Sequence, residues 1–173
     1  MEDLTPTGRV ILGMIRLGKR TGYDIKQLVD VSARFFWSAS YGQIYPELKR
    51  LERAGLIRGA DEPSGGRART VYTLTPAGER TLDDWLGSRA TLVWELRDEA
   101  LLKLFFAADR DPDEVRAHMR AARARSEEVA ERLRSLGPRS DDPPPGPALV
   151  REFGIEFNEW MADWWGRAER RLG

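Results

Sequence analysis

Between Trp37 and Leu56 the chain reads Trp-Ser-Ala-Ser-Tyr-Gly-Gln-Ile-Tyr-Pro-Glu-Leu-Lys-Arg-Leu-Glu-Arg-Ala-Gly-Leu, a segment that constrains the fold more than any other. Ser40 is a favourable N-cap and Gln43, three residues on, completes a capping box, so the spacing predicts a helix starting there. Ile44, Leu48 and Leu51 recur at the interval of one buried face, while Tyr41, Gln43, Tyr45, Lys49, Arg50 and Arg53 fall mostly elsewhere. Gly55 supplies the C-terminal stop. Pro46 has no N–H to give the Gly42 carbonyl and its ring crowds that carbonyl, so a kink or loosened first turns should result. A helix of this kind exposes hydrogen-bonding and cationic side chains together, as the reading of a DNA groove requires.

The residues after this helix give it a context. Leu56-Ile57 and Thr70-Val-Tyr-Thr-Leu74 are short β-prone runs flanking Asp61 to Arg69, and the Ser-Gly-Gly between them is a hairpin signal. A capped helix followed by a basic-tipped hairpin is the pattern of a winged helix-turn-helix. Arg67 and Arg69 then sit at the wing, where a guanidinium reaches a phosphate or a narrow minor groove. In isolation the same two arginines are equally an ordinary solvated loop.

The remaining N-terminal signals fit that frame. Thr5-Pro6 opens an apolar helix carrying Val10, Ile11, Met14, Ile15 and Leu17 before Gly18, and proline suits its first position. Gly22 to Val31 reads as a shorter positioning helix with Ile25, Leu28 and Val29 inward. Phe35-Phe36-Trp37 reads as an aromatic turn anchoring it to the next helix, a core role rather than a functional one. Thr75-Pro76 opens another helix, to about Leu86.

Beyond Trp85 the chain reads as helices alone. Asp98 to Ala108 is a short apolar helix. Asp111 caps the next, with Pro112 at its first position and Asp113 and Glu114 favouring its positive end. Val115, Met119, Ala122, Ser126, Val129, Leu133 and Leu136 then form a heptad seam, stopped by Gly137-Pro138. Pro143-Pro-Pro-Gly-Pro147 reads as a stiff exposed connection. A last helix, from about Ala148 to Leu172, carries a wide apolar stripe of Leu149, Val150, Phe153, Phe157, Trp160, Met161, Trp164 and Trp165. Its expected role is packing on the heptad helix and on a partner subunit.

Gly22-Tyr-Asp-Ile25, Phe36-Trp37, Gly42-Gln-Ile-Tyr-Pro-Glu-Leu-Lys-Arg-Leu-Glu52, Gly55-Leu-Ile57, Arg69-Thr-Val-Tyr72 and Leu74-Thr-Pro-Ala-Gly78 resemble the PadR family of bacterial transcriptional regulators. The resemblance is specific over the first half, where Tyr-Pro within the recognition helix is distinctive, and looser beyond Trp85. It implies a homodimeric repressor, often of detoxification or efflux genes and sometimes released by a small aromatic ligand.

Composition agrees with such a protein and excludes others. A chain of 173 residues buries one substantial core or two small ones. No apolar run approaches the roughly 18 residues of a membrane span and no secretory leader is visible, so a cytoplasmic location is expected. With no cysteine and one histidine, thiolate chemistry and multi-histidine metal sites within the chain are excluded, and no cofactor is expected. The zero net charge divides by region: residues 1 to 80 hold 13 Lys and Arg against 9 Asp and Glu, and the remainder 15 against 19. The basic excess lies where DNA contact is proposed. Asp83-Asp84, Asp98-Glu99 and Glu127-Glu128 are sequence neighbours that point apart on a helix, and His118 has no nucleophile or metal motif around it, reading as a solvated helix residue. No enzyme is expected.

The expected fold is therefore mainly α: a winged helix-turn-helix with a two-stranded wing over residues 1–88 and a helical dimerisation and effector-binding region over 89–173. Tyr41, Gln43 and Tyr45 are candidates for base contact; Ser40, Lys49, Arg50, Arg67 and Arg69 for phosphates or the minor groove; Tyr23 for the backbone. Trp94, Trp160, Trp164 and Trp165 are candidates for the wall of an apolar cleft that takes a planar ligand, with dimer-core packing as the competing role. The expected partners are an inverted-repeat duplex operator, a second copy of the chain and a small aromatic effector. An activator of the same fold, or a protein-interaction adaptor on a winged scaffold, is the alternative.

Overall fold

The computed structural model describes residues 4–29, 41–64, 67–89, 96–136 and 145–172. They fall into two compact units, Met1–Thr91 and Leu92–Gly173.

The first unit contains α1 (Pro6–Arg16), α2 (Gly22–Leu28), a single 3₁₀ turn (Tyr41–Gln43), α3 (Ile44–Arg53), the antiparallel strands β1 (Ile57–Ser64) and β2 (Arg67–Leu74), and α4 (Pro76–Gly87). This is a helix-turn-helix followed by a two-stranded wing. Its core is Ile11, Leu12, Ile15, Ile25, Val29, Ile44, Leu48, Leu51, Ile57 and Leu82, drawn from every helix and from the root of β1. The connection holding Phe35-Phe36-Trp37 lies outside the described residues.

Caps set the helix limits. Thr5, Thr21 and Thr75 are N-caps whose hydroxyls accept from the N–H of Gly8, Asp24 and Gly78, and Pro6 and Pro76 occupy first helical positions. Gly18 and Gly55 have φ of +83° and +70°. Each closes a helix with paired bonds, Gly18 N–H to Ile15 O and Lys19 N–H to Met14 O, Gly55 N–H to Glu52 O and Leu56 N–H to Leu51 O, the Schellman arrangement.

Two expectations change at α3 and the wing. The capping-box start at Ser40 is not where the α-helix begins. Gln43 is the N-cap residue and makes no side-chain cap bond, and the turn before it is 3₁₀. Pro46 accounts for this: starting α3 at Ile44 puts it at the third position, where an N–H has no intrahelical partner to lose. Ser40 itself lies outside the described residues. The strands also continue through Asp61–Ser64 and Arg67–Arg69, which read as loop, leaving only Gly65-Gly66, outside the described residues, between them. Register explains why Pro63 is tolerated. The N–H groups of Gly59 and Tyr72, which face each other, both point away from the ladder, to Glu52 and to Arg20 O. Alternation then turns the nitrogen of Pro63 outward too, so no ladder bond is forfeited.

The second unit consists of α5 (Glu99–Phe105), α6 (Pro112–Ser135) and α7 (Pro145–Arg171). Asp98 and Asp111 cap α5 and α6. The buried line of α6 is Val115, Met119, Ala122, Ser126, Ala130 and Leu133, so Ala130 takes the inward place assigned to Val129, which is half-buried. A straight helix of 3.6 residues per turn drifts off a strict heptad. Helix α7 starts at Pro145, earlier than Ala148, absorbing Pro145 and Pro147 into its first turn, where proline is tolerated. His118 is not a solvated residue: it is half-buried, its Nε2 lies 3.0 Å from Ala100 O, and its ring meets Trp165 edge-on. Among the described residues no helix is long and apolar enough to cross a membrane.

The Thr-Pro-Ala-Gly run has a structural reason. Thr75 donates to Gly55 O at 2.6 Å and its N–H to Leu56 O at 3.0 Å, which lays the first turn of α4 on the end of α3. A Cβ on Gly78 would stand 2.0 Å from Leu56 O, a backbone atom that cannot step aside. Gly78→Ala is expected to destabilise by about 3 kcal/mol or more, read as a shift in urea midpoint. Gly13→Ala, mid-helix with nothing within 4 Å of the added carbon, is expected to stabilise by about 0.5–1 kcal/mol.

Candidate nucleic-acid interface

The face of α3 opposite Ile44, Leu48 and Leu51 is open. Gln43, Tyr45, Lys49 and Arg53 are exposed, Tyr45 at 55%, and Tyr23 on α2 at 64%. Gly22 brings them close: a Cβ there would lie 2.7 Å from the Tyr45 ring and 3.2 Å from Leu48, so α2 and α3 touch where glycine leaves room. Tyr41 belongs to the 3₁₀ turn ahead of Gln43, with its backbone alone described. Tyr23, Tyr41, Gln43, Tyr45 and Lys49 thus lie along three consecutive elements, α2, the 3₁₀ turn and α3.

Arg50 has a different environment. Its guanidinium donates to both oxygens of Glu47, at 2.9 and 2.8 Å, and is only 25% exposed. Glu47 is 8% exposed, and its Oε1 also accepts from the Thr5 hydroxyl at 2.5 Å. The carboxylate therefore joins the N-cap of α1 to α3, and Gly8 lies against it, a Cβ there falling 2.7 Å from Oε1. Arg50 holds the carboxyl of Glu47 below the usual range; burial opposes this and the Thr5 hydrogen bond adds to it. A merely hydrophobic reading of the helix face overlooks Glu47, yet positions 44, 47, 48 and 51 keep one i, i+3, i+4, i+7 row.

On the wing, Arg69 faces Glu62 across the strands and pairs with it at 3.3 Å, both well exposed. Such a pair is weak and opens at little cost when a phosphate competes. Arg67 stands opposite Ser64 at the distal end of β2. Two further contacts tie the root of the wing down: Glu52 Oε1 accepts from Gly59 N–H at 2.8 Å and Arg20 O from Tyr72 N–H at 2.7 Å. Burial raises the Tyr72 hydroxyl above the ordinary tyrosine value, with the charges of Glu52 and Asp61 adding. Neither Glu52 nor Gly59 stands out in sequence, since a glutamate near a helix end and a glycine in a strand have many uses.

The tryptophans of the second unit divide. Trp165 is 1% exposed and sits in the core with Val115, Met119, Ala122 and Met161. Trp164 meets it edge-on at 4.9 Å between centroids and is half-buried. Trp160 is 54% exposed and stacks on Phe157, which stacks on Phe153. Trp94 lies outside the described residues. Trp165 is thus committed to packing and Trp164 packs against the same core, while Trp160 lies on the open side of α7.

A helix-turn-helix with an open polar helix face and a pinned wing is the architecture of a DNA-reading regulator. A model of the transcriptional regulator PadR-like family matches residues 11–84, and one of the C-terminal region of virulence activator alpha matches residues 96–173. Over residues 11–84 the chain is similar to the PadR-like transcriptional regulators. The negative transcriptional regulator PadR of Bacillus subtilis is 39% identical over 97 residues, 56% of this chain and 53% of that protein. The transcriptional regulator Rv3488 of Mycobacterium tuberculosis is 42% identical over 57 residues, 33% of this chain and 53% of that protein. The chain thus spans about half the length of these curated relatives. Bacillus subtilis PadR in complex with operator DNA superposes with a TM-score of 0.81 at 28% identity, over 95% of this chain and 98% of that one. The same regulator in complex with p-coumaric acid gives 0.74 at 28% identity, over 97% and 99%. The PadR-like regulator BC1756 of Bacillus cereus, at 20% identity and a TM-score of 0.84 over 99% and 98%, shares the fold.

The Glu47 network makes stability depend on acidity. Because the folded state lowers the carboxyl's pKa, its contribution is fully present above the unfolded value of about 4.3 and is lost as pH falls through the folded one. Glu47→Ala is expected to cost about 2 kcal/mol near neutral pH. As pH falls below the unfolded value and through the folded one, the wild-type and Glu47→Ala denaturation midpoints should converge, as urea titrations at several pH values will report.

Proposed function

We propose that the chain is a homodimeric repressor that binds duplex DNA sequence-specifically in the cytoplasm and is released by a small aromatic ligand, with no catalytic activity of its own. The observation that carries this reading is the open face of Tyr23, Gln43, Tyr45 and Lys49 on a helix pair braced from behind. The operator complex of Bacillus subtilis PadR, similar over nearly the whole chain, supports it. Residues 1–88 act as the DNA-binding domain and 89–173 as the dimerisation and effector region.

In this reading Gln43, Tyr41 and Tyr45 meet base edges from the first turns of the recognition helix. Ser40, Lys49, Arg67 and Arg69 meet phosphates or the minor groove, and Tyr23 the backbone. Arg50, committed to Glu47, contributes chiefly by position. Trp160, exposed on α7, and Trp164, half-buried beside Trp165, are the described tryptophans offered to an aromatic ligand, with Trp94 kept as a candidate from the sequence; the p-coumaric acid complex of Bacillus subtilis PadR supports a ligand of that class. A ligand releases DNA only by favouring a dimer whose recognition helices are wrongly spaced. Repression is preferred to activation because Bacillus subtilis PadR, 39% identical over 97 residues, is a negative regulator.

The dimer follows from surplus apolar surface. Leu149, Val150, Phe153 and Trp160 of α7, with Leu102, Phe105 and Phe106 near α5, are all exposed, although α6 already covers one face of α7. A second copy buries such a surplus and pairs two half-sites about one helical turn apart or a multiple of it. Leu133, by contrast, is buried within the chain, so Val129→Asp with Leu133→Asp would unfold the unit rather than separate copies. Phe153→Asp with Trp160→Asp is expected to give folded monomers by light scattering and circular dichroism, with operator affinity lost.

Gln43→Ala is expected to cost about 1–3 kcal/mol on one operator and to relax its sequence preference, whereas Arg69→Ala weakens all duplexes alike and lowers the salt slope by about one. Fluorescence anisotropy on operator and scrambled duplex across a salt series measures both. Equal losses on the two duplexes for Gln43→Ala would remove it as a base reader. Salt-insensitive or absent duplex binding by the wild type would favour an adaptor role instead.

A further inference from the structure

Beyond its core-packed root at Ile57, the wing is tied to the helices at one rung. Gly59 of β1 and Tyr72 of β2 face each other, and their N–H groups point out of opposite edges of the hairpin. In a two-stranded sheet both edges are free, so outward N–H groups normally go to water. Here each is taken by protein, Gly59 N–H by the Glu52 carboxylate of the recognition helix and Tyr72 N–H by the Arg20 carbonyl before α2. A Cβ at Gly59 would lie 2.7 Å from the Glu52 oxygen, so the missing side chain is what admits the carboxylate.

This rung works as a fulcrum. The distal pair Ser64 and Arg67 lies five residues beyond it, and Glu62 with Arg69 three residues beyond. At about 3.4 Å per residue the end of β1 stands about 17 Å from the fulcrum, so a tilt of about 10° carries it about 3 Å, roughly one hydrogen-bond length. A phosphate contact does not survive that displacement without rearrangement.

We infer that Glu52 is a positioning residue for DNA binding: by holding Gly59 N–H it sets where Arg67 and Arg69 lie relative to the base-reading face of α3. The inference rests on the DNA-binding reading above. It also explains an acidic side chain at the end of a helix whose other exposed charges are Lys49 and Arg53, where a carboxylate close to phosphates opposes binding unless it serves the frame.

Glu52→Gln and Glu52→Ala separate position from charge, because both remove the carboxylate and only the amide keeps an acceptor for Gly59 N–H. Operator affinity, duplex salt dependence and hydrogen exchange of the Gly59 amide are measured for both in the full-length protein. Glu52→Gln is expected to bind at least as tightly as wild type with Gly59 still protected. Glu52→Ala should bind about fivefold more weakly than Glu52→Gln, with Gly59 exchanging faster. That gap should vanish when Arg67→Ala and Arg69→Ala are added and persist when Gln43→Ala is added. Equal affinity of the Gln and Ala variants, or a gap that survives loss of both wing arginines, overturns the inference while leaving DNA binding intact. Failure of the wild type to bind duplex overturns the underlying reading and the inference with it.

Discussion

A carboxylate buried between two helices organises the helix-turn-helix of this protein. Glu47 lies on the inward row of α3, where an ionised group without partners would be costly. The cost is offset by Arg50 from the same helix and by the Thr5 hydroxyl from the start of α1. Thr5 also caps α1, so one side chain sets the beginning of that helix and its distance from α3. Breaking such a group apart is worse than never having it, because the remaining charge stays buried. The recognition helix is thereby fixed in rotation, which decides that Gln43, Tyr45 and Lys49 point outward together.

Leu56 is the second fixed point. Its N–H closes the Schellman turn on Leu51 O, its carbonyl receives the N–H of Thr75, and Gly78 rests against that same carbonyl. The exit of α3, the entry to the wing and the start of α4 thus share one residue. Arg16 of α1 reaches Glu79 and Asp83 of α4, closing the frame from outside, although exposed pairs of this kind add little energy. Geometry, more than charge, delivers the wing to the Glu52 contact at a defined angle.

In the second unit burial is divided differently. Helix α7 packs Met161, Ala162 and Trp165 inward and leaves Leu149, Val150, Phe153 and Trp160 in the open. A soluble monomer seldom keeps an apolar row of that length exposed, which favours its burial against the second copy proposed above. The spacing of two DNA-reading faces would then depend on how α7 packs, giving a ligand its leverage.

Much of this was legible in the chain. Caps and stops depend on neighbours in sequence, so Thr5-Pro6, Thr75-Pro76, Asp111-Pro112, Gly18 and Gly55 mark their helices correctly. Apolar spacing likewise identified the inward row of α3, the order of helices, strands and wing, and most of the α6 seam. Tertiary structure decided what local signals cannot carry. The 3₁₀ turn before α3 and the extension of the strands past Asp61 depend on where backbone groups find partners. Ala130 replaces Val129 because helix phase accumulates over many turns. His118 and Trp165 acquire their roles only when α5, α6 and α7 come together. Above all, the chain alone does not show that Arg50 is paired with Glu47, and it leaves Glu47 and Glu52 unremarked. A charge's role is set by what stands within about 3 Å of it, and for Thr5 with Glu47, or Glu52 with Gly59, that proximity is created by the fold and not by the spacing of the residues along the chain.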